Sequence, residues 1–324
     1  MKHFSRSAHI RSQLLKRFLR FFILSSIAIL FPAITTMCIT GRKATQIYTG
    51  VESGRLIVFD DSSHYETMDM EDFLPLAVLG QLSVDAEPEL LKSFTIIMRT
   101  YIISRMGDSS KISINELNIP YTSYPALEDL WGEYFPENYK KITELTAETS
   151  MLIMTHNGEA ITPFYHSISS GKTRSGAENL GESFSYLSSV TCPSDSESDI
   201  FEKTYTFTNA EFASQIRTIN PDISISSDAP LENIQITSRD SAGYIIMLEI
   251  GGIEVNGQNF CDALNINSPY FLLDESDDGV SITTYGQGHG YGLSLNYASS
   301  LANGGAKYKE ILNYFFNQIK IKAF

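Results

Sequence analysis

The residues best suited to chemistry lie in a glycine-rich stretch late in the chain, GQGHGYG at residues 286–292. Glycines let a backbone approach a ligand closely. The stretch also leads into a predicted helix, whose first N–H groups can receive an anion or a sugar oxygen. The lysine of a G-x-x-x-x-G-K nucleotide loop is absent, so a nucleotide is not indicated. His289 could act on a substrate directly or tie the loop to a sheet, and the pattern leaves both open.

A second stretch, residues 70–106, places polar side chains between two apolar segments. Apolar residues recur at helical spacing on both sides of the break Ser83-Val84-Asp85, and this periodicity predicts a helical hairpin. Asp85 is the predicted N-cap of the second helix, and Glu87 and Pro88 suit its first turn. Gln81 lies just before the break.

Both stretches resemble the SpoIID/LytB family of sporulation cell-wall proteins. Residues 70–106 follow the family pattern L-E-x-Y-L-x-G-V-V-x-x-E-M-P and then P-x-E-A-L-K-A-Q-A-x-A-A-R-T-Y-A without a gap. Residues 286–316 follow its G-x-G-H-G-x-G-M-S-Q-Y-G-A ending, and residues 169–173, SSGKT, resemble its S-G-G-x-T loop. One position departs from the first pattern: where the family has the glutamate of E-M-P, this chain has Gln81.

The resemblance implies peptidoglycan remodelling by a lytic transglycosylase, in which that glutamate is the catalytic acid. The acid protonates the leaving oxygen of the MurNAc–GlcNAc bond and then takes the proton of the muramyl C6 hydroxyl, which closes a 1,6-anhydro ring. An amide can donate and accept hydrogen bonds but cannot carry a proton near neutral pH. Because general acid–base help is worth roughly 10²–10⁴-fold, Gln81 predicts weakened or lost activity. Asp85 or Glu87 could supply a replacement acid.

Two functions stay open under this resemblance. The first is a sporulation protein that acts on denuded glycan strands during engulfment, beside an amidase that strips the stem peptides, with reduced lytic transglycosylase activity. The second is a non-catalytic glycan-binding or scaffolding protein that positions the amidase. A third class, an extracellular sensor or adhesin, would bind no glycan.

The resemblance also implies a set of glycan-contacting side chains. For each of them, an ion pair or a loop cap is an equally acceptable interpretation. The set is Lys92, Arg99, Ser169, Ser170, Thr173, His289 and Ser294.

Charge divides the chain into two parts. Residues 1–43 hold eight Lys or Arg and no acidic residue, whereas residues 44–324 hold 16 basic and 38 acidic residues. A domain this acidic is not expected to bind nucleic acid or an anionic lipid surface through bulk charge. Residues 21–40 are uncharged over a length that spans a bilayer as a helix. With six positive charges before them, they predict a cytoplasmic segment 1–20, a single-pass membrane anchor and an extracytoplasmic bulk. A cleaved signal peptide is the alternative.

The remaining pattern predicts a mixed α+β ectodomain over residues 46–318 with two lobes, outside the cell membrane or the forespore-facing septal membrane. Residues 46–60 predict a strand pair, His156-Asn157-Gly158 predicts a tight hairpin turn, and residues 234–255 predict a β-meander. Cys192 and Cys261 could form a disulfide, which their spacing does not decide. The histidines lack metal-ligand spacing, so neither a metal nor another cofactor is expected.

Overall fold

The computed structural model describes residues 49–61 and 64–324. The mixture of helices and small sheets confirms the α+β class, whereas the two-lobe arrangement stays a prediction. The helices are α1 (Met70–Leu79), α2 (Pro88–Met106), α3 (Ile114–Leu117), α4 (Tyr124–Trp131), α5 (Phe135–Glu148), α6 (Gly176–Asn179), α7 (Asn209–Ile219), α8 (Gly257–Leu264), α9 (Leu295–Asn303) and α10 (Tyr308–Phe315). The strands are β1 (Leu56–Asp61), β2 (His64–Asp69), β3 (Lys111–Ser113), β4 (Leu152–His156), β5 (Glu159–Ala160), β6 (Tyr165–His166), β7 (Glu202–Phe207), β8 (Ile234–Arg239), β9 (Ile245–Ile250), β10 (Ile253–Asn256), β11 (Phe271–Ser276), β12 (Gly279–Tyr285), β13 (Leu293–Ser294) and β14 (Lys320–Ala323).

Helices α1 and α2 confirm the predicted helical hairpin. The Asp69 carboxylate caps α1 by accepting the N–H of Glu71 at 2.9 Å. The predicted N-cap of α2 is wrong by two residues: Glu87 holds that position, and Pro88 opens the helix. Proline fits the first helical position because its missing N–H would have no partner there. Asp85 instead lies in the turn before the helix, where its N–H donates to Ser83 Oγ at 3.2 Å.

The first sheet differs from the predicted strand pair over residues 46–60. Strands β1 and β2 form an antiparallel hairpin from Leu56 to Asp69, and β3 joins β1 in parallel. The segment before β1 is held by a side-chain hydrogen bond and not by backbone pairing with a strand. The Asp69 carboxylate accepts the N–H of Ser53 at 3.0 Å. The predicted strand pair therefore begins too early, and its first residues, 46–48, lie outside the described ranges.

The central sheets confirm two further predictions. Strands β4 and β5 meet at a turn where Asn157 and Gly158 have φ of 52° and 95°, the left-handed geometry that Asn-Gly favours in hairpins. Strands β8, β9 and β10 form the predicted meander. Strand β14 lies beyond residue 318 and pairs with β4.

A hydrophobic core formed by residues 212–282 unites α7, α8 and the strands from β8 to β12. Its largest side chains are Phe212, Phe260 and Phe271, all without exposed surface. Cys261 lies in this core, and both Cys192 and Cys261 are free and buried, so the disulfide left open by the sequence is not formed. Burial of these aromatic rings fixes β9 and α8, which form one wall of the site described below.

The predicted membrane anchor at 21–40 and the cytoplasmic segment 1–20 lie outside the described residues. Over 49–61 and 64–324, no helix combines the length and the apolar character that crossing a membrane requires.

Candidate functional site

Gln81 follows the last residues of α1, in the turn that leads to α2. Its N–H donates to Val78 O at 3.0 Å. Its side chain is partly exposed and has no hydrogen-bond partner among the described residues. Gly80, just before it, packs against the backbone of Tyr121, where an added Cβ would lie 2.6 Å from the Tyr121 Cα. The turn is therefore packed against Tyr121 at Gly80, and the side-chain amide of Gln81 is accessible to a ligand.

The two acids proposed as replacements lie in different surroundings. Asp85 is exposed in the same turn. Glu87 binds α9, because its carboxylate accepts Ser299 Oγ at 3.0 Å and Asn303 Nδ2 at 2.5 Å. Asp85 therefore keeps a free carboxylate four residues from Gln81, whereas Glu87 joins the turn to the helix that follows the glycine-rich stretch.

The glycine-rich stretch packs closely against neighbouring residues of the protein. Gly290 has φ of +81°, and a Cβ there would lie 2.5 Å from Tyr244 Cζ. Gly292 has φ of +69°, and a Cβ there would lie 2.1 Å from Phe164 O. Only glycine combines such dihedrals with such close contacts. At these two positions the glycines are needed for packing, not for room to admit a ligand.

His289 is held in a fixed orientation by the loop. Its Nδ1 accepts the N–H of Tyr291 at 3.0 Å, which assigns the ring proton to Nε2. Burial first, and then the nearby His166 ring and the Arg174 guanidinium, lower the pKa of His289 to about 3. The imidazole is therefore neutral at physiological pH and cannot act as a cationic acid.

A cavity of about 510 Å³ opens beside this loop. Its wall combines aromatic and aliphatic groups with one guanidinium and three side-chain amides, and Gln81 is not part of it. No carboxylate appears in the lining. The lining residues are Phe164, Arg174, Asn179, Leu180, Ile245, Ile246, Asn256, Gln258, Gly288, His289 and Tyr291.

Arg174 is the central charged group of this cavity. Its Nε donates to Asp240 Oδ2 at 2.5 Å, and its Nη1 donates to His289 O at 3.4 Å. The guanidinium carbon lies 5.1 Å from the Tyr244 ring centroid and 4.5 Å from that of Tyr291. Two rings and two oxygen acceptors thus fix the plane of the guanidinium. Arginine stacks on aromatic rings and donates hydrogen bonds to oxygen acceptors in this geometry.

A buried carboxylate that is not part of the cavity lining holds three segments together. Asp195 has no exposed surface and accepts Ser169 Oγ at 2.6 Å, Ser294 Oγ at 2.8 Å and Asn296 Nδ2 at 3.0 Å. It also accepts the N–H of Ser169 at 2.8 Å. Asp195 therefore joins the 169–173 loop to the start of α9, and through α9 to the α1–α2 turn.

Most of the side chains expected to contact glycan are buried in the fold instead. Arg99, Ser169, Thr173 and Ser294 have no exposed surface, so a glycan cannot reach them in this structure. Arg99 forms a bidentate ion pair with Glu71: Nε donates to Oε1 at 2.7 Å and Nη2 donates to Oε2 at 2.8 Å. The hydroxyls of Ser169 and Ser294 donate hydrogen bonds to Asp195, as described above. These four residues are buried among contacts within the fold, and their part in glycan binding stays a prediction.

The other members of that set lie elsewhere. Lys92 pairs with Glu89 at 3.3 Å and with Glu148 at 2.5 Å. Ser170 donates its N–H to Tyr244 Oη at 2.8 Å, and its buried Oγ has no hydrogen-bond partner. His289 alone lines the cavity.

Arg174, Asp195 and Asp240 were missed by the sequence reasoning. Arg174 directly follows the SSGKT loop that the resemblance pointed out. Its position next to that loop was therefore the signal that could have identified Arg174 as a candidate site residue. Asp240 and Asp195 lie 66 and 21 positions from Arg174, and no local pattern connects them.

Comparison with known proteins is consistent with the motifs. The chain is 26% identical over 264 residues to stage II sporulation protein D of Bacillus subtilis, a match that covers 79% of this chain and 75% of that protein. It is 26% identical over 273 residues to the protein of the same name from Bacillus amyloliquefaciens, covering 82% and 77%. No protein-family model matches the chain. This similarity, together with the motifs at residues 70–106 and 286–316, supports a SpoIID-like family for the chain.

Proposed function

We propose that this protein binds the glycan strands of peptidoglycan during engulfment, and that its lytic transglycosylase activity is weakened or lost. The similarity to stage II sporulation protein D supports a sporulation cell-wall role. The observation that carries the loss of activity is Gln81, a partly exposed amide at the position of the family's catalytic glutamate. The N–H protons of a carboxamide are too weakly acidic to be transferred to a leaving sugar oxygen near neutral pH.

The cavity beside residues 286–292 supports the binding half of the proposal. Sugar rings present apolar faces and hydroxyl edges, and the wall offers Phe164, Tyr291 and Ile245 next to the amides of Asn256 and Gln258. Its volume of about 510 Å³ lies in the range of small-molecule sites. Its lining supplies no carboxylate, and the neutral His289 cannot serve as a cationic acid. Binding is the function that these groups favour.

The decisive experiment is a comparison of products from purified peptidoglycan that an amidase has stripped of its stem peptides. We expect full-length protein to release 1,6-anhydro-muramyl ends at least about 10²-fold more slowly than the Gln81→Glu variant. Mass spectrometry of the released fragments measures both rates, and Gln81→Ala serves as the inactive control. Equal release by wild type and Gln81→Glu would show that Gln81 is not the missing acid.

Residual cleavage by wild type would point to Asp85 as the proton donor. Asp85 carries the exposed carboxylate nearest in sequence to Gln81, so Asp85→Asn removes the replacement acid without changing side-chain size. If that change abolishes residual cleavage, Asp85 has taken over proton transfer; if cleavage persists unchanged, it has not.

The alternative function is a scaffold that positions a peptidoglycan amidase. It predicts that the protein sediments with peptidoglycan, retains an amidase in the pellet and releases no anhydro ends. The location proposed for either function is the outer face of the membrane, with residues 1–20 in the cytoplasm. External protease should then remove residues 49–324 from intact protoplasts.

A further inference from the structure

A second cavity, of about 320 Å³, lies at the β4–β5 hairpin, and we call it the hairpin cavity. Residues 156–162 and 183–186 line it with two aromatic rings, an imidazole, a carboxylate, an amide and hydroxyl groups. One of the rings is Phe184, whose centroid lies 6.2 Å from that of Phe164. Phe164 lines the cavity of Arg174. The two cavities therefore adjoin at this pair of rings, and their linings differ.

Two titratable side chains of the hairpin cavity lie opposite each other. His156 and Glu159 are directly paired in the antiparallel register, on either side of the Asn157-Gly158 turn. Directly opposed residues of two strands project from the same face, with Cβ atoms about 5 Å apart. Both side chains line the cavity. The hairpin therefore presents an imidazole and a carboxylate side by side.

Both of these groups keep acceptors that the fold does not use. His156 Nδ1 bonds to Gln318 O at 3.2 Å. Because a carbonyl oxygen only accepts, this bond assigns the proton to Nδ1 and leaves Nε2 as an acceptor in the neutral ring. The Glu159 carboxylate has no hydrogen bond or ion pair with any residue that the structure describes. Among those same residues, no lysine or arginine lines the cavity.

These acceptors fit a primary ammonium group, which offers three donors and a positive charge. The half-buried Phe184 ring adds a face that attracts a cation. The amide of Asn157 and the hydroxyls of Thr162 and Ser183 match hydroxyl groups next to the ammonium. A flexible alkyl ammonium would leave these three groups unpaired, whereas an amino sugar would use them. An N-acetylated sugar would bring only a neutral N–H to Glu159.

We infer that the hairpin cavity binds a glucosamine residue whose nitrogen carries no acetyl group, with the ammonium received between Glu159 and His156. The inference goes beyond the proposed function, because it assigns a second site and a different sugar. The ammonium is exposed only after the acetyl group has been removed. The site therefore distinguishes de-acetylated residues of a strand from acetylated ones, and it places this protein after a reaction of the N-deacetylating class.

Calorimetry on the full-length protein with three ligands tests this inference. The first ligand is a glucosamine tetramer with free amino groups, and the second is the same tetramer with every amino group acetylated. The third is Nα-acetyl-lysine methylamide, which carries a flexible ammonium. We expect wild type to bind the first ligand at least about fivefold more tightly than either of the others, because an exposed ion pair and a cation–π contact each contribute modestly.

Two glutamate variants locate the effect. Glu159→Gln removes the charge and keeps the shape of an exposed side chain, so it should lower the affinity for the glucosamine tetramer to that for the acetylated one. Glu182→Gln is the matched control. Glu182 is exposed two residues before Phe184 and is not part of the lining. This control changes the net charge by the same amount and should keep the fivefold preference.

Each other outcome overturns a stated part of the inference. Equal binding of the two tetramers by wild type would remove the ammonium as the group recognised, while glycan binding would stand. An equal loss of preference in both variants would assign it to the overall negative charge, and a preference that Glu159→Gln retains would place the ammonium elsewhere. Binding of the lysine derivative as tight as that of the glucosamine tetramer, and lost in Glu159→Gln, would assign the cavity to a peptide amine. Binding of neither tetramer would refute the proposed glycan binding as well.

Discussion

The α1–α2 turn at residues 80–87 and the glycine-rich stretch at residues 286–292 differ in how they are held. In the turn, the Gln81 side chain has no described partner, and Glu87 makes the bonds that tie the turn to α9. In the stretch, glycines pack against Tyr244 and Phe164, and the His289 ring is fixed by the backbone. A single exposed side chain can be exchanged without disturbing packing, whereas an interlocked loop cannot. The side chain at residue 81 can therefore change while the packing of the glycine-rich stretch is kept.

The largest expected effect is at Asp195, which accepts hydrogen bonds from Ser294 and Asn296, just after the glycine-rich stretch. Asp195→Ala leaves the buried hydroxyls of Ser169 and Ser294 and the amide of Asn296 without their acceptor. Each unsatisfied buried donor costs about 1–3 kcal/mol, so we expect a loss of at least about 3 kcal/mol in the free energy of unfolding. Urea unfolding followed by circular dichroism measures it. Asp195→Asn, which retains one acceptor oxygen, should fall between the alanine variant and wild type. A loss below about 1 kcal/mol would mean that this network does not hold the loop.

The second effect is a dependence of stability on pH. Burial lowers the pKa of His166 to about 4 and that of His289 to about 3, with the His166 ring and Arg174 contributing to the second shift. In the unfolded chain both titrate near the ordinary value of about 6.5. Between pH 6.5 and 4 the unfolded state therefore binds more protons, and stability falls as the pH falls, by up to about 1.4 kcal/mol per pH unit for each histidine.

Urea unfolding at several pH values between 4.5 and 7 measures this slope. His166→Asn should reduce it by up to half, because one of the two depressed groups is gone. His156→Gln is the matched control, since its ring is not buried and lies at the β4–β5 turn. A slope that His166→Asn leaves unchanged would show that the imidazole is not kept neutral by the fold.

The third effect compares two glycines with similar backbone angles. Gly171 has φ of +96° and nothing within 4 Å of an added Cβ, whereas Gly290 has φ of +81° and would place a Cβ 2.5 Å from Tyr244 Cζ. Gly171→Ala should cost about 1 kcal/mol of stability from the dihedral alone. Gly290→Ala should cost at least about 1 kcal/mol more, because the collision moves the ring that contacts Arg174. Equal losses would show that the loop can shift away from Tyr244.

Local signals in the sequence predicted the secondary structure well. The Asn157-Gly158 turn, the two helices on either side of Gln81 and the meander at residues 234–255 all depend on neighbouring residues. The N-cap of α2 lies two residues later than predicted. Asp85 is the better cap by residue type, but Pro88 begins the helix and leaves Glu87 at the N-cap position without a side-chain capping bond. The hairpin of β1 and β2 was placed too early, because the contacts of Asp69 that hold residue 53 join distant positions.

The site was harder to predict, since its charges are partnered across long distances in the chain. Arg99 had the right chemistry for a glycan contact, and only the fold reveals that Glu71 buries it. Arg174 gained its role from Asp240, Tyr244 and Tyr291, none of which is adjacent to it in sequence. The sequence therefore indicates which residue types are available, and the three-dimensional contacts decide which of them remain accessible to a ligand.

The smallest expected effect returns to the turn. Gln81→Ala removes a partly exposed side chain that has no described hydrogen bond, so we expect the free energy of unfolding to change by less than about 0.5 kcal/mol. Glu87→Ala, six residues away, removes the bonds to Ser299 and Asn303 of α9 and should cost about 1 kcal/mol. Urea unfolding of the two variants side by side measures both values. If Gln81→Ala proved the more costly, Gln81 would be a structural residue of the turn. Its amide would then contribute to the stability of the turn.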